Sequence, residues 1–126
     1  MHRSDEGDKP VTLKGSCHCG KIRFTALGRP AEAMSCNCSI CRRKGSILHF
    51  IKPEMFTLET SRDDIVLYTF NKHMVRHQFC KTCGCAPFAE VNQPDGSTMV
   101  AINLRCADDV DLGQLKIVEF DGAGLL

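Results

Sequence analysis

The chain has 126 residues, with 16 Lys and Arg against 15 Asp and Glu, which gives a formal net charge of +1. This length fits one domain, and the balanced charge provides no global field to attract nucleic acid or an anionic membrane. Seven Phe, one Tyr and no Trp are too few aromatic residues to predict a stacking platform for single-stranded nucleic acid. Since no apolar run approaches the roughly 20 residues of a membrane span and the N-terminus is polar, we expect a cytoplasmic protein without a membrane partner.

The first predicted element is a flexible tail over residues 1–10, which are charged, contain Gly and Pro and lack periodicity. A single domain is predicted over residues 11–126. Short runs rich in β-branched and aromatic residues alternate there with turn residues, which is typical of strands joined as hairpins. The predicted strands, in chain order, are residues 11–16, 21–27, 46–51, 56–59, 65–70, 74–79, 85–91 and 98–103.

Helix is scarce in this sequence. One turn is predicted at residues 39–44 and another at residues 107–113, where Asp108 and Asp109 suit a first helical turn. The predicted fold is therefore mainly β.

Nine cysteines in a chain of this length need a chemical explanation. Their odd number, their clustering and the polar N-terminus favour reduced thiols that bind metal over a secreted disulfide scaffold. Disulfides within a cluster are also disfavoured, since residues two apart in an extended strand lie near the limit of bridgeable Cα separations. A disulfide or redox-sensing protein remains a weaker hypothesis.

Two of the cysteine clusters have the spacing of paired metal ligands. In the first, residues 17–20 (CHCG), alternation in an extended chain puts both sulfurs on one face. The last, residues 80–84 (CKTCG), has the spacing of a zinc knuckle, in which glycine relieves a tight turn. If both pairs share one metal, the site is closed, excludes substrate and stabilises the fold by joining distant segments. Spacing alone leaves the pairing open, because the first pair could equally join two of the middle cysteines.

The middle cluster, residues 36–41 (CNCSIC), supplies three sulfurs. Three protein ligands with an open position are the arrangement of catalytic zinc, and a substrate thiolate could fill that position. The basic residues that follow, 42–44 (RRK), either offset the negative charge of the sulfurs and bind a substrate carboxylate, or form a solvated face. Asn37 and Ser39 either donate hydrogen bonds to sulfur or serve as turn residues.

Three ordered motifs carry a resemblance to a known family: GSCHCG at residues 15–20, CNCSICRR at residues 36–43 and FCKTCG at residues 79–84. Over residues 11–120 the chain resembles the glutathione-dependent formaldehyde-activating enzymes, a family that includes centromere protein V. The resemblance implies an Mss4-like fold of short antiparallel strands and hairpins with little helix. It also implies a structural zinc bound by Cys17, Cys19, Cys80 and Cys83, and a second, catalytic zinc bound by Cys36, Cys38 and Cys41.

The resemblance implies that the protein is a zinc-dependent carbon–sulfur lyase. Glutathione would bind at the middle cluster and condense with formaldehyde to S-hydroxymethylglutathione. The leading hypothesis is therefore an enzyme that activates a small thiol, most simply glutathione, for forming or breaking an adduct with formaldehyde or a similar electrophile. The alternative is a zinc-stabilised protein-interaction module without catalysis, which a fourth protein ligand at the middle cluster would favour.

The remaining cysteines and the histidines are given structural interpretations. Cys85 departs from the family pattern and is interpreted as a buried thiol in a strand, although it could compete for metal. Cys106 is expected to fill the core or a loop. His49, His73 and His77 are expected to be packed side chains, and His49 is the one whose place in the sequence could put it in the middle cluster's pocket.

Overall fold

The computed structural model describes residues 12–70 and 74–121. The tail predicted at residues 1–10 lies outside the described residues, and so does His73. Within the described part the fold is mainly β, as predicted, with ten strands, one α-helix and four short 3-10 helices. None of the described helices is long and apolar enough to cross a membrane.

The strands are, in chain order, β1 (Thr12–Ser16), β2 (Arg23–Leu27), β3 (Glu32–Cys36), β4 (Leu48–Ile51), β5 (Phe56–Leu58), β6 (Ile65–Tyr68), β7 (Val75–Cys80), β8 (Phe88–Asn92), β9 (Thr98–Asn103) and β10 (Lys116–Phe120). The helix α1 spans Ser39–Lys44, as predicted. The 3-10 helices are Pro53–Met55, Arg62–Asp64, Leu104–Cys106 and Leu112–Gln114.

The strands form two sheets, one of three strands in the order β1-β2-β5 and one of seven in the order β10-β3-β4-β9-β8-β7-β6. The paired strands are antiparallel except for β10, which runs parallel to β3. This pair departs from the expected antiparallel hairpins because its strands are far apart in the chain and no tight turn joins them. The parallel pair brings Phe120 opposite Cys36 at the end of the middle cysteine cluster's strand.

Three sequence predictions need correction. Strands β3 and β10 are absent from the predicted strands. β3 contains Glu32 and Ala33, which have low strand propensity, whereas the KIVEF sequence of β10 alternates apolar and charged residues as an ordinary strand does. The helical turn predicted at residues 107–113 forms only at its end, as the 3-10 helix Leu112–Gln114, because Asp109 has a φ of 58° that interrupts a right-handed helix before it. The strand predicted from residue 85 begins only at β8, because Pro87 has no N–H to donate to a neighbouring strand.

The seven-stranded sheet has two faces with different roles, since successive side chains of a strand point to opposite sides. One face packs against the three-stranded sheet in a core that includes Ile51, Val100 and Ile102, together with Leu13 and Phe24. This packing leaves the opposite face of the larger sheet available for a site.

A row of residues from four adjacent strands crosses that opposite face. Phe50 pairs with Ala101, Ala101 with Ala89, and Ala89 with His77. Side chains of directly paired residues share one face of a sheet, so these four lie together on the face that is turned away from the core.

Candidate metal centres and the adjoining pocket

The first and last cysteine clusters meet at one point, although Cys19 and Cys80 are 61 positions apart. The Sγ atoms of Cys17, Cys19, Cys80 and Cys83 all lie within 4.8 Å of one another. Cys19 Sγ is 3.7 Å from Cys17 Sγ and 3.6 Å from Cys80 Sγ. Four sulfurs arranged tetrahedrally at the usual zinc–sulfur distance of about 2.3 Å would be about 3.8 Å apart. The spacing of the four thiols is therefore compatible with a bound zinc ion.

The turn after β1 shapes the first half of this group. The N–H of Cys17 donates to the carbonyl of Ile22 at 3.0 Å, and the N–H of Ile22 donates to Cys17 Sγ at 3.3 Å. Gly20 closes the turn with a φ of 84° and donates its N–H to the carbonyl of Cys17. A left-handed backbone at this point is what glycine permits at little cost.

The turn after β7 repeats this design. Thr82 and Cys83 donate their N–H groups to Cys80 Sγ at 3.3 and 3.5 Å. Gly84 has a φ of 80° and donates to the carbonyl of Cys80 at 2.9 Å. The turn role predicted for the glycine of the last cluster, Gly84, is confirmed, and Gly20 has the same left-handed backbone.

Backbone N–H groups and crowded sulfurs have opposite effects on these thiols. The N–H groups of Cys85 and Cys19 lower the pKa of Cys83 to about 6. The N–H of Lys21 also favours the Cys19 thiolate, but burial and the neighbouring thiols raise the pKa of Cys19 to about 11. Because four negative sulfurs repel one another at this spacing, a cation bound among them would stabilise the thiolates and displace the remaining protons.

The middle cluster is arranged by a strand end and a helix start. Cys36 is the last residue of β3, Cys38 is the N-cap of α1, and Cys41 lies in the helix. The Cys41 N–H donates to Cys38 Sγ at 3.5 Å, which is the usual N-cap hydrogen bond. The three Sγ atoms lie within 4.8 Å of one another, so this group is also compatible with zinc.

No fourth metal ligand completes the middle group among residues 12–70 and 74–121. All nine cysteines are free of disulfide bonds, and two of them, Cys85 and Cys106, belong to neither metal group. Burial raises the pKa of Cys36. The pKa of Cys41 is raised by burial and by the neighbouring Cys38 thiol. Cys38 is almost fully buried. The three cysteine sulfurs together provide the donor set of a zinc site with one open position.

Cys85 differs from its predicted interpretation. It lies before β8, not in a strand, and is only partly buried. Its carbonyl accepts a hydrogen bond from the Cys80 N–H at 2.9 Å, and its own N–H favours the Cys83 thiolate. Its backbone therefore supports the four-cysteine group. Cys106 ends a 3-10 helix, where burial raises its pKa to about 11.

The three cysteines of the middle group line a pocket of about 510 Å³. Its floor is the outward face of the seven-stranded sheet, and α1 forms part of its wall. The pocket surface is mostly apolar, with contributions from Met34, Leu48, Phe50, Val75, Val91 and Phe120. The described polar lining residues other than cysteine are Lys44, Ser46, His77 and Asn103. The sequence predicts an open position at the middle cluster, but it does not predict the size of this pocket or the residues from distant strands that line it.

The basic run after the middle cluster divides into two parts. Arg42 and Arg43 are exposed, and Arg43 donates to the carbonyl of Ser39 on its own helix at 2.9 Å. Lys44 is exposed too, but it also lines the pocket, where partial desolvation lowers its pKa. The Asn37 side chain donates to Asp121 Oδ1 at 3.0 Å, so it connects the cluster to the segment after β10.

The structure also separates the histidines. His49 pairs with Ile102 and shares its core-facing side of the sheet, whereas its neighbours Leu48 and Phe50 line the pocket. His77 is only 7% exposed, stacks on Phe70 with ring centroids 5.6 Å apart, and lines the pocket. The expected packing of His77 is confirmed, but its access to the pocket was missed because alternation alone does not tell which face meets the core.

His77 should make the stability of the protein depend on pH. Burial and the positive charge of Lys44 lower the pKa of His77 to about 4. In the unfolded chain an ordinary imidazole has a pKa of about 6.5, so the unfolded state binds more protons between these values. The free energy of unfolding should therefore decrease as pH falls through this window, with a contribution of about 2 kcal/mol by pH 5.

Urea unfolding of the wild type and a His77→Gln variant at pH 7 and pH 5 measures this contribution. The variant should lose less stability than the wild type over this interval. Zinc content is determined at both pH values, because protonated cysteines release metal in both proteins alike. Parallel losses of stability in the two proteins at equal zinc content would contradict the assignment.

Fold and site together define a mainly β protein with two cysteine groups suited to zinc, one of four thiols and one of three beside a pocket. The chain belongs to the glutathione-dependent formaldehyde-activating enzyme family, whose model matches residues 12–118. The resemblance predicted from the three motifs is confirmed. A Rhodobacter sphaeroides protein of known crystal structure is similar, with a TM-score of 0.70 and 27% sequence identity over 83% of this chain and 99% of that chain.

Proposed function

We propose that this protein is a zinc-dependent enzyme of the carbon–sulfur lyase type. It activates a small thiol, most simply glutathione, for forming or breaking an adduct with formaldehyde or a similar electrophile. Family membership supports glutathione-dependent formaldehyde activation. The observation that carries the proposal is the contrast between the two cysteine groups, since the four-thiol group is complete and the three-thiol group faces a pocket.

In this proposal the four-cysteine group is structural. Cys17, Cys19, Cys80 and Cys83 would hold one zinc and connect the turn after β1 in the small sheet to the turn after β7 in the large one. With four protein ligands, such a site has no position for a substrate. The zinc would stabilise the fold, because it holds together two segments that are far apart in the chain and so closes a long loop.

Cys36, Cys38 and Cys41 would hold the catalytic metal. A zinc ion bound there would lower the pKa of a coordinating thiol and keep it as a thiolate near neutral pH. The chain contributes the geometry: the Cys41 N–H stabilises negative charge on Cys38, and Lys44 offsets the charge of the three sulfurs or binds a substrate carboxylate. The apolar walls exclude water and strengthen these interactions.

His77 supplies a neutral imidazole to the same pocket. Because its pKa is lowered to about 4, it is uncharged near pH 7 and can accept or donate one hydrogen bond. In the reaction the thiol sulfur bonds to the carbonyl carbon, and the thiol proton ends on the carbonyl oxygen. Holding both reactants in one pocket turns this addition into an effectively unimolecular step. A cytoplasmic location, where thiols stay reduced, is part of the proposal.

The alternative of a protein-interaction module has less support. Its distinguishing feature was a fourth protein ligand at the middle group, and residues 12–70 and 74–121 provide none. A closed middle site would have no reason to face a pocket of about 510 Å³.

Glutathione binding to the cobalt-substituted protein tests the proposed function. Cobalt reports each new thiolate ligand as a change in charge-transfer absorption, so glutathione should increase this absorption. S-methylglutathione, which lacks a free thiol, is the matched control and should leave the spectrum unchanged. The zinc protein should in parallel accelerate formation and breakdown of the glutathione–formaldehyde adduct. A protein that shows neither the spectral change nor the acceleration would contradict the proposed function.

A further inference from the structure

We propose that the pocket beside the middle cysteine group binds the hydrocarbon part of a larger aldehyde, so that the electrophile is a medium-chain or aromatic aldehyde. The inference rests on the proposed function, because it takes the three cysteines as the place where the thiol is held. It deepens that function by naming the substrate class.

The volume of the pocket exceeds what formaldehyde needs. Pockets that enclose drug-sized ligands have volumes of roughly 300–1,000 Å³, and the pocket of about 510 Å³ lies in this range. Formaldehyde has a single carbon atom and would fill a small part of that space. A longer or aromatic aldehyde would occupy the remainder and remove its apolar surface from water.

The chemistry of the pocket walls favours a hydrocarbon. Met34, Phe50, Val75 and Val91 come from four different strands of the large sheet and all line the pocket. Phe120 adds an aromatic ring from β10. Burial of apolar groups against such walls is favourable by about 0.8 kcal/mol for each methylene. The pocket thus offers most of its surface to a substrate part without charge.

One of the polar lining residues, Asn103, is held by hydrogen bonds within the protein. Asn103 Oδ1 accepts from the N–H groups of Ile47 and Arg105, and its amide Nδ2 donates to the carbonyl of Ala86 at 3.1 Å. The His77 ring is stacked on Phe70. Among the described lining residues Lys44 is the one cationic side chain, and none is acidic.

These polar groups do not suit the peptide part of glutathione. Glutathione carries two carboxylates and an ammonium group, and burying such charges without partners is costly. Lys44 can pair with one carboxylate, but the other two charges would have no partner of opposite sign on the described walls. The peptide therefore extends toward solvent beside α1, where Arg42 and Arg43 are exposed, and the substituent on sulfur enters the pocket.

The reaction with a larger aldehyde has the same balance as with formaldehyde. The sulfur–carbon bond forms, the carbonyl double bond becomes a single bond to a hydroxyl, and the hydroxyl proton comes from the thiol. No oxidant or reductant takes part. The aldehyde's hydrocarbon chain is unchanged and stays in the pocket throughout.

Calorimetric titration of the zinc-loaded protein with S-methyl-, S-propyl-, S-hexyl- and S-octylglutathione tests the inference. These thioethers mimic the adduct of glutathione with aldehydes of increasing length. Affinity should increase about three- to fourfold for each methylene until the chain fills the pocket. With glutathione held constant, hexanal should likewise be consumed faster than propanal at equal concentration.

Two pocket variants and one matched control locate the effect. Phe120→Ala should weaken binding of S-hexylglutathione at least tenfold and leave S-methylglutathione unchanged. Val118→Ala is the control, because Val118 is 38% exposed and Phe120 39%, both lie on β10, and only Phe120 lines the pocket. Ala89→Leu fills the pocket from the floor and should reduce the gain per methylene, which keeps the test decisive if Phe120→Ala does not fold.

The outcomes separate the inference from the proposed function. If glutathione binds to cobalt but affinity is the same for all alkyl lengths, the inference is wrong and the proposed function stands. If affinity grows with length but glutathione never binds the metal, the proposed function fails and the pocket is apolar-selective for another reason, so the named substrate class is withdrawn. An unchanged gain per methylene in Ala89→Leu also overturns the inference.

Discussion

A Cys17→Ser variant should lose the folded state at neutral pH, even with excess zinc. Cys17 is 2% exposed and its sulfur lies 3.7 Å from that of Cys19, so serine removes one of the four sulfurs of the group and places a hydroxyl in a buried position. Structural zinc contributes roughly 10–16 kcal/mol in small zinc domains, whereas whole domains are stable by only about 5–15 kcal/mol. Loss of much of the zinc's binding free energy would therefore exceed the free energy of unfolding of the whole domain.

Circular dichroism and amide NMR measure this result. The variant should show no cooperative thermal transition and a collapsed range of amide chemical shifts. Cys106→Ser is the matched control, because Cys106 belongs to neither metal group and its variant should unfold cooperatively. A Cys17→Ser protein with wild-type melting and undiminished zinc content would show that the four-cysteine group is not structural.

A Cys36→Ser variant should remain folded but lose the second metal and nearly all thiol-dependent activity. Cys36 is only partly buried, and its strand keeps its backbone pairing with β4 and β10 whatever side chain ends it. The activity should fall at least about a thousandfold, since metal ions contribute several kcal/mol to such reactions and each 1.36 kcal/mol is a factor of ten.

Metal quantitation and melting together measure the second result. Zinc per chain should fall from about two to about one, with the cooperative transition retained. Cys85→Ser, which changes a cysteine outside both groups, should keep both metals and full activity. If Cys36→Ser and Cys17→Ser unfold alike, the division between a structural and a catalytic group is wrong.

The features of the site that the sequence predicts are the cysteine turns and the short helix, which are formed by residues close together in the chain. Each cysteine pair with its glycine forms a turn that is closed by hydrogen bonds within five residues, from Cys17 to Ile22 and from Cys80 to Cys85, although Lys81 also donates to the carbonyl of the distant Asp64. The hydrogen bonds that close these turns join neighbouring residues, so a turn glycine such as Gly84 could be assigned from the sequence. The helix at Ser39–Lys44 was predictable for the same reason, since Cys38 caps it and Gly45 ends it.

The less predictable part depends on long-range pairing. Spacing left open which cysteines share a metal, and the geometry brings Cys19 within 3.6 Å of Cys80. It also left open which histidine meets the pocket, because a shift of one residue in register reverses the face of every side chain in a strand. The sheet register turned His77 toward the pocket and His49 toward the core.

By itself, then, the sequence determined a mainly β chain with cysteine turns built for metal, because strand propensity and turn chemistry act over a few residues. Only the tertiary structure decided that four of the cysteines meet while the other three line a pocket. The physical reason is that this pocket is made by side chains from distant strands, such as Met34, Val91 and Phe120, whose common face is fixed by sheet pairing.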